Sequence, residues 1–190
     1  MPVGAVVVDA AGKIISRGRN RIRELEMPSG LAYGSQLAHA ELNALFALDR
    51  DLADVHSCAI YTSLEPCPLC LGAIYMSGVR TIFYAAEDAY AGSTNLLGTT
   101  PYLTRKPVTA NGPFRNGLAE FASALHIEFC LREYRLPNLV IEMERQVFPV
   151  GVTLGEKARA GGLFQQWAAQ GWTAAQAFDR IADLMPLTLS

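Results

Sequence analysis

No apolar run in this 190-residue chain reaches the roughly 18–20 residues that a membrane span needs, so no membrane association is expected. The opening, MPVGAVVVDAAG, has no basic segment ahead of its apolar stretch and meets Asp9 early. That is not the pattern of a secretory signal, and a cytoplasmic protein is the expectation. Basic charge is also scarce. Sixteen Lys and Arg stand against eighteen Asp and Glu, for a net charge of −2 and an isoelectric point near 5.9. A domain that lives by gripping phosphate backbones carries a basic excess, so nucleic-acid binding is disfavoured, although RGRNRIR (17–23) is a local basic run. Cysteine is limited to four residues, Cys58, Cys67, Cys70 and Cys130, unevenly placed. That excludes a secreted disulfide scaffold.

What is present is a core. Hydrophobic residues make up 51% of the chain and charged residues 18%, which suits one well-packed domain. VGAVVVD (3–9) and KIISRG (13–18), joined by AAGK, read as a β-hairpin. Residues 24–38, with Pro28, Gly30 and Gly34, read as a loop. From Ala38 the apolar spacing of Leu42, Leu45 and Phe46 predicts a helix, with 49–57 crossing to the next strand. CAIYTSL (58–64) is a strand. Pro68 suits a first helical turn, where its missing N–H costs nothing, and Gly78 suits a helix stop. VRTIFYAAE (79–87) is the next strand. Strands alternating with helices predict a sheet with parallel pairs and an α/β fold. Residues 88–117 read as a long loop with one extended piece at 106–110. A helix is expected from Leu118 to about Tyr134, broken by Pro137; 138–148 is helix or strand, and two short helices follow in the tail. The last of them, TAAQAFDRIADLM (173–185), has Thr173 as its cap and Ala177, Phe178, Ile181 and Met185 on one face.

Two short stretches carry chemistry. HAELNAL (39–45) places His39 and Glu41 two apart at a helix start, and EPCPLC (65–70) places Cys67 and Cys70 three apart at another. One imidazole and two thiolates suit a Zn2+ site that keeps its fourth position open. The positive end of a helix favours thiolate over thiol. Glu41 is then placed to move protons beside the metal. A C-x-x-C alone also fits a structural zinc or a redox pair. A structural zinc needs a fourth ligand, from Cys58, His56 or Cys130, and those thiols together with His56 and His126 otherwise read as ordinary core or surface residues. The joint pattern, H-x-E followed by P-C-x-x-C, is the signature of the zinc deaminases.

The chain resembles the cytidine and deoxycytidylate deaminase superfamily, and within it the branch of guanine deaminases and tRNA adenosine deaminases. PVGAVVVD, GRN (18–20), HAELNAL and TSLEPCPLCLGAIYMSGVRTIFYAAED (62–88) carry the likeness over about the first 95 residues, with a looser match at 106–125. The resemblance implies a three-layer α/β/α domain around a five-stranded mixed sheet. It implies zinc at His39, Cys67 and Cys70, Glu41 as catalytic proton shuttle, and Asn20 as a substrate-binding residue. It implies a small-molecule nucleobase or nucleoside as substrate, with RNA as the alternative, and a homodimer. A deaminase-like domain retained for binding alone is a further alternative, disfavoured by the intact Glu41. A deaminase domain is expected over 1–135 and a helical C-terminal extension over 136–190. The family's helix ahead of the first strand has no counterpart here. The face it covers is expected to be met by the tail (163–185), by a partner subunit, or by a segment ahead of the present start.

Overall fold

The computed structural model describes residues 1–26, 30–49, 54–134 and 138–183. Pro28, residues 50–53 of the expected crossing, Pro137 and Met185 lie outside them. Strands β1 (Gly4–Val8) and β2 (Ile14–Arg19) form the expected hairpin. Asp9 closes it, accepting from the backbone N–H groups of Ala11 and Lys13 at 2.9 Å each. Helix α1 (Ala40–Phe46), strand β3 (Ala59–Leu64), helix α2 (Pro68–Ser77) and strand β4 (Thr81–Ala86) follow. Strand β5 (Thr109–Asn111) is the short extended piece of the long loop. The sheet order is β2-β1-β3-β4-β5, antiparallel up to β3 and parallel from β3 to β5. This is the five-stranded mixed sheet that the resemblance implies, with the parallel pairs that the alternation of strands and helices predicts.

Period-two alternation sorts each strand into two faces. Ala5, Val7, Ile60 and Ile82 are buried with Ala40 and Ala44 of α1 and Leu71 and Ile74 of α2. β2 comes so close to α1 that only glycine fits at position 18, because a Cβ there would stand 2.2 Å from the Ala40 carbonyl oxygen. The opposite face carries Val6, Tyr61 and Phe83 in register across three strands. Tyr61 stacks on Phe83 at 4.6 Å yet remains 42% exposed. With Phe114 these residues line an open groove of about 570 Å³.

The described part of the tail, up to residue 183, does not line that groove. Helices α3 (Leu118–Glu133), α4 (Asn138–Val147), α5 (Pro149–Gly161), α6 (Leu163–Ala169) and α7 (Ala174–Ala182) gather around α3 instead. Phe121 and Ala124 of α3 bury Leu154, Ala177 and Ile181, with Phe164, Trp167 and Phe178 packed around them. The aromatic side of α3 is the apolar partner that the stripe of α7 meets, so the expectation that the tail lies on the sheet is corrected. Thr173 and Gln176 form the capping box that starts α7.

α5 is absent from the sequence reading because Gly151, Gly155 and Gly161 argue against a helix. Contact with α3 explains the first two. A Cβ at Gly155 would stand 2.8 Å from the Ala124 carbonyl oxygen and from Ile127 Cβ, and one at Gly151 would stand 2.7 Å from Ser123 Cβ. This gives an expectation of unusual sign. In an open helix, Gly→Ala gains about 0.5–1 kcal/mol. Here Gly155→Ala pushes two helices apart and is expected to lose roughly 1–3 kcal/mol, read as a lower urea midpoint with unchanged slope.

Candidate metal and active site

His39 is the N-cap of α1 and Cys67 the N-cap of α2, so two helix N-termini converge. Pro68 holds the first turn of α2, and Gly78 ends that helix in the left-handed conformation at φ 101°. The His39 Nδ1 lies 3.5 Å from Cys67 Sγ and 3.3 Å from Cys70 Sγ. A tetrahedral zinc with ordinary bond lengths separates nitrogen and sulfur ligands by about 3.6 Å, so the donor set fits. Among the described residues no other group joins the cluster of His39, Cys67 and Cys70. Cys58 is buried in the main core, His56 Nδ1 faces the Gly78 carbonyl oxygen at 2.8 Å, and neither serves as a fourth ligand. The site keeps the open position that a catalytic zinc needs rather than the closed shell of a structural one.

The electrostatics favour metal. The Cys70 thiol, together with His39, holds Cys67 down to about 4, so one sulfur is a thiolate in the metal-free protein. Cys70 is raised, chiefly because that proton is shared with Cys67 and then because it is buried. His39 is raised, first by its hydrogen bond to Cys67.

Glu41 is 4% exposed and reaches the same point. Thr62 donates its hydroxyl to Oε1 at 3.4 Å, and the Cys70 thiol donates to Oε2 at 3.4 Å. Burial raises the Glu41 carboxyl above the usual carboxylate range. Metal binding at Cys70 would displace the thiol proton and so remove this donor from Oε2.

Asn20 lies at the end of β2, in the same cavity of about 520 Å³ as His39, Glu41 and Cys67. Its Oδ1 accepts from the Ile22 N–H at 3.3 Å, while its buried Nδ2 has no partner. Asn20 is not the left-handed turn residue that asparagine often provides, since among the described residues only glycines have positive φ.

Two positioning groups escape the sequence reading. Asn43 is fully buried in α1, where its Nδ2 donates to the carbonyls of Arg19 and Ala32 and its Oδ1 accepts from the Ala32 N–H at 2.8 Å. It ties α1 to β2 and to the loop leading to His39. A polar residue at a core-facing helical position was the available signal. Glu65 accepts from the Thr94 N–H at 2.9 Å and so latches the 88–97 loop to the cavity wall. Gly92 must be glycine there, because a Cβ would stand 2.1 Å from Glu65 Oε2.

The cavity's remaining wall is helical. His126, Cys130 and Tyr134 line it together with Val140. His126 and Cys130 are buried, as their apolar neighbours suggest, and they line the cavity as well. Behind this wall sits Glu144, fully buried, accepting from the Ala89 N–H at 3.3 Å and the Ser123 hydroxyl at 3.2 Å. Burial, with help from the Asp88 charge, pushes its carboxyl up to about 7. Between about 4.5 and 7 the folded protein therefore holds a proton that the unfolded chain has released. Stability from this group is full below that window and falls as pH rises through it, by an amount on the order of 3 kcal/mol. Glu144→Gln is expected to flatten this slope, so that the variant outlasts the parent in urea at pH 8 and loses that advantage at pH 5.

Comparison with known proteins agrees with this geometry. Residues 1–86 match the model of the cytidine and deoxycytidylate deaminase zinc-binding region. A tRNA-specific adenosine deaminase of Agrobacterium fabrum is 31% identical over 141 residues, covering 73% of this chain and 85% of that protein. A guanine deaminase of Bacillus subtilis is 41% identical over 92 residues, covering 47% of this chain and 53% of that protein. The chain thus spans about half the length of that guanine deaminase, and a smaller share of some other relatives. The solved structure of NE0047 in complex with 2,6-diaminopurine superimposes with a TM-score of 0.53 at 26% identity, over 70% of this chain and 72% of that one. With its hairpin-led mixed sheet and a zinc-binding His/Cys/Cys triad at two helix N-termini, the chain belongs to the cytidine and deoxycytidylate deaminase zinc-binding family.

Proposed function

We propose that the protein catalyses zinc-dependent hydrolytic deamination of a free nucleobase or nucleoside of the guanine or cytosine type, releasing ammonia. The observation that carries the choice of substrate is the cavity wall. Among its described lining residues there is no Lys or Arg, while Glu41, Glu65 and Asp88 are acidic. A site that threads a polyanion needs cations, so a wall with carboxyls and, among its described residues, no Lys or Arg favours a small neutral ring. The relative named as a guanine deaminase and the complex with 2,6-diaminopurine support the same reading.

His39, Cys67 and Cys70 hold the zinc. Zinc, when bound, supplies Lewis acidity that lets a water act as nucleophile near neutral pH. Glu41 takes the proton of the attacking water and passes it to the ring nitrogen next to the amino-bearing carbon. It then takes the proton of the hydroxyl now attached to that carbon and delivers it to the amine, so that ammonia leaves and a carbonyl remains. Thr62 holds Glu41 Oε1 in place during both transfers. Asn20 offers its unpartnered Nδ2 as a donor to the substrate. Val140 of α4 joins His126, Cys130 and Tyr134 in the wall beyond residues 1–86.

The alternative is deamination of a tRNA adenosine. It is favoured by the Agrobacterium fabrum relative, of which the chain covers 85%. Ammonia release from guanine, cytosine, adenine, their nucleosides, deoxycytidylate and a tRNA anticodon stem-loop separates the two. Turnover of a single base or nucleoside is expected, and turnover of the stem-loop alone would contradict the proposal.

A further inference from the structure

α3 lays one stripe of side chains along the cavity. His126, Cys130 and Tyr134 recur every four residues, so they share a helical face, and all three line the site. They stand beyond residues 1–86, which match the zinc region. Only one of the three suits recognition of a polar ring. Cys130 is held protonated by burial, pushed up to about 12, and a thiol is a weak donor. Tyr134 is 46% exposed at the rim. His126 is 7% exposed, and its Nδ1 is buried with no hydrogen-bond partner.

An unpaired buried nitrogen destabilises a fold, and nothing in the packing of α3 calls for one at this position. A phenylalanine would fill the same space with no polar atom to satisfy. The second unpartnered group on the cavity is the Asn20 Nδ2, which comes from β2 rather than α3. Two residues from separate elements, each with a buried polar atom that lacks a partner among the described residues, line one cavity. A ligand with a polar edge is what would satisfy them.

We propose that His126 is a specificity-determining residue whose imidazole hydrogen-bonds the polar edge of the substrate base. This assignment rests on the reading that the cavity holds a base during catalysis. Burial lowers the His126 pKa, with Asp88 opposing, so the ring is neutral at working pH and offers one donor and one acceptor. One ring nitrogen can then make a single directional hydrogen bond to the base edge, as donor or as acceptor according to the tautomer. A site built on paired polar groups rejects analogues that lack them far more strongly than an apolar pocket rejects a missing methylene.

The test uses the zinc-loaded full chain with His126→Phe, His126→Ala and His126→Asn. His126→Phe keeps the ring volume and removes both nitrogens. It is expected to bind zinc as the parent does and to unfold at or above the parent's temperature. Its KM should rise roughly 10–100-fold with kcat within a few-fold, and His126→Asn should recover part of the loss. Should the Phe variant not fold, His126→Ala is read in the same way. An unchanged KM in these variants, on a substrate the parent turns over, overturns the His126 assignment alone. Turnover of the stem-loop but of no free base or nucleoside overturns the small-substrate reading alone, and the variants are then read on the stem-loop. No turnover of any substrate by the zinc-loaded parent overturns both.

Discussion

Glu41→Gln is expected to keep its zinc and lose turnover by roughly 10²–10⁴-fold, the usual worth of a positioned acid–base group. Glu41 is not among the converging metal ligands, so its loss leaves the donor set intact. Gln keeps an oxygen to accept from the Thr62 hydroxyl and has the same length, so packing in the buried site is preserved. What it cannot do is take up a proton and release it. The carboxyl suits that task because burial raises it toward the working pH. Zinc content by elemental analysis and kcat on the best substrate check the expectation together. A Gln variant retaining a tenth or more of parental turnover would remove Glu41 from the mechanism.

Cys67→Ala is expected to lose both metal and activity. With one of three protein ligands gone, zinc is left with His39 and Cys70. Losing an outer-sphere partner alone commonly costs about 10–100-fold in metal affinity, and a direct ligand costs more. The thiolate that Cys67 supplies before metal arrives also disappears, so the entering ion meets a less negative site. Competition with a zinc-chelating dye should show affinity down by about 100-fold or more, and added zinc should not restore parental turnover. Undiminished zinc binding would mean that another residue completes the shell, contrary to the open fourth position.

The legible parts of this protein are those where local chemistry decides. The β1–β2 hairpin follows from β-branched runs around a turn, and α2 from Pro68 at its start and Gly78 at its end. The convergence of His39, Cys67 and Cys70 follows from ligand types at two helix starts. Helix α5 is different. Gly151 and Gly155 oppose helix locally and are required only by contact with α3, which no local pattern reveals. His126 is hidden for a similar reason. Among the apolar neighbours of α3 it reads as core, and only the position of α3 over the cavity turns it toward the site. Ala177, Phe178 and Ile181 form the apolar stripe of α7, but a stripe does not name its partner, and that partner is α3 rather than the sheet.

The central claim is that the His39, Cys67 and Cys70 site, loaded with zinc and served by Glu41, releases ammonia from a small base. The most direct test strips the protein of metal, returns zinc in measured steps, and follows ammonia release on the best base or nucleoside of the panel. The account predicts no release from stripped protein, a rise in proportion to bound zinc, and a plateau at one zinc per chain, with Glu41→Gln flat throughout. Release that is independent of bound zinc, or that persists in Glu41→Gln, would contradict it.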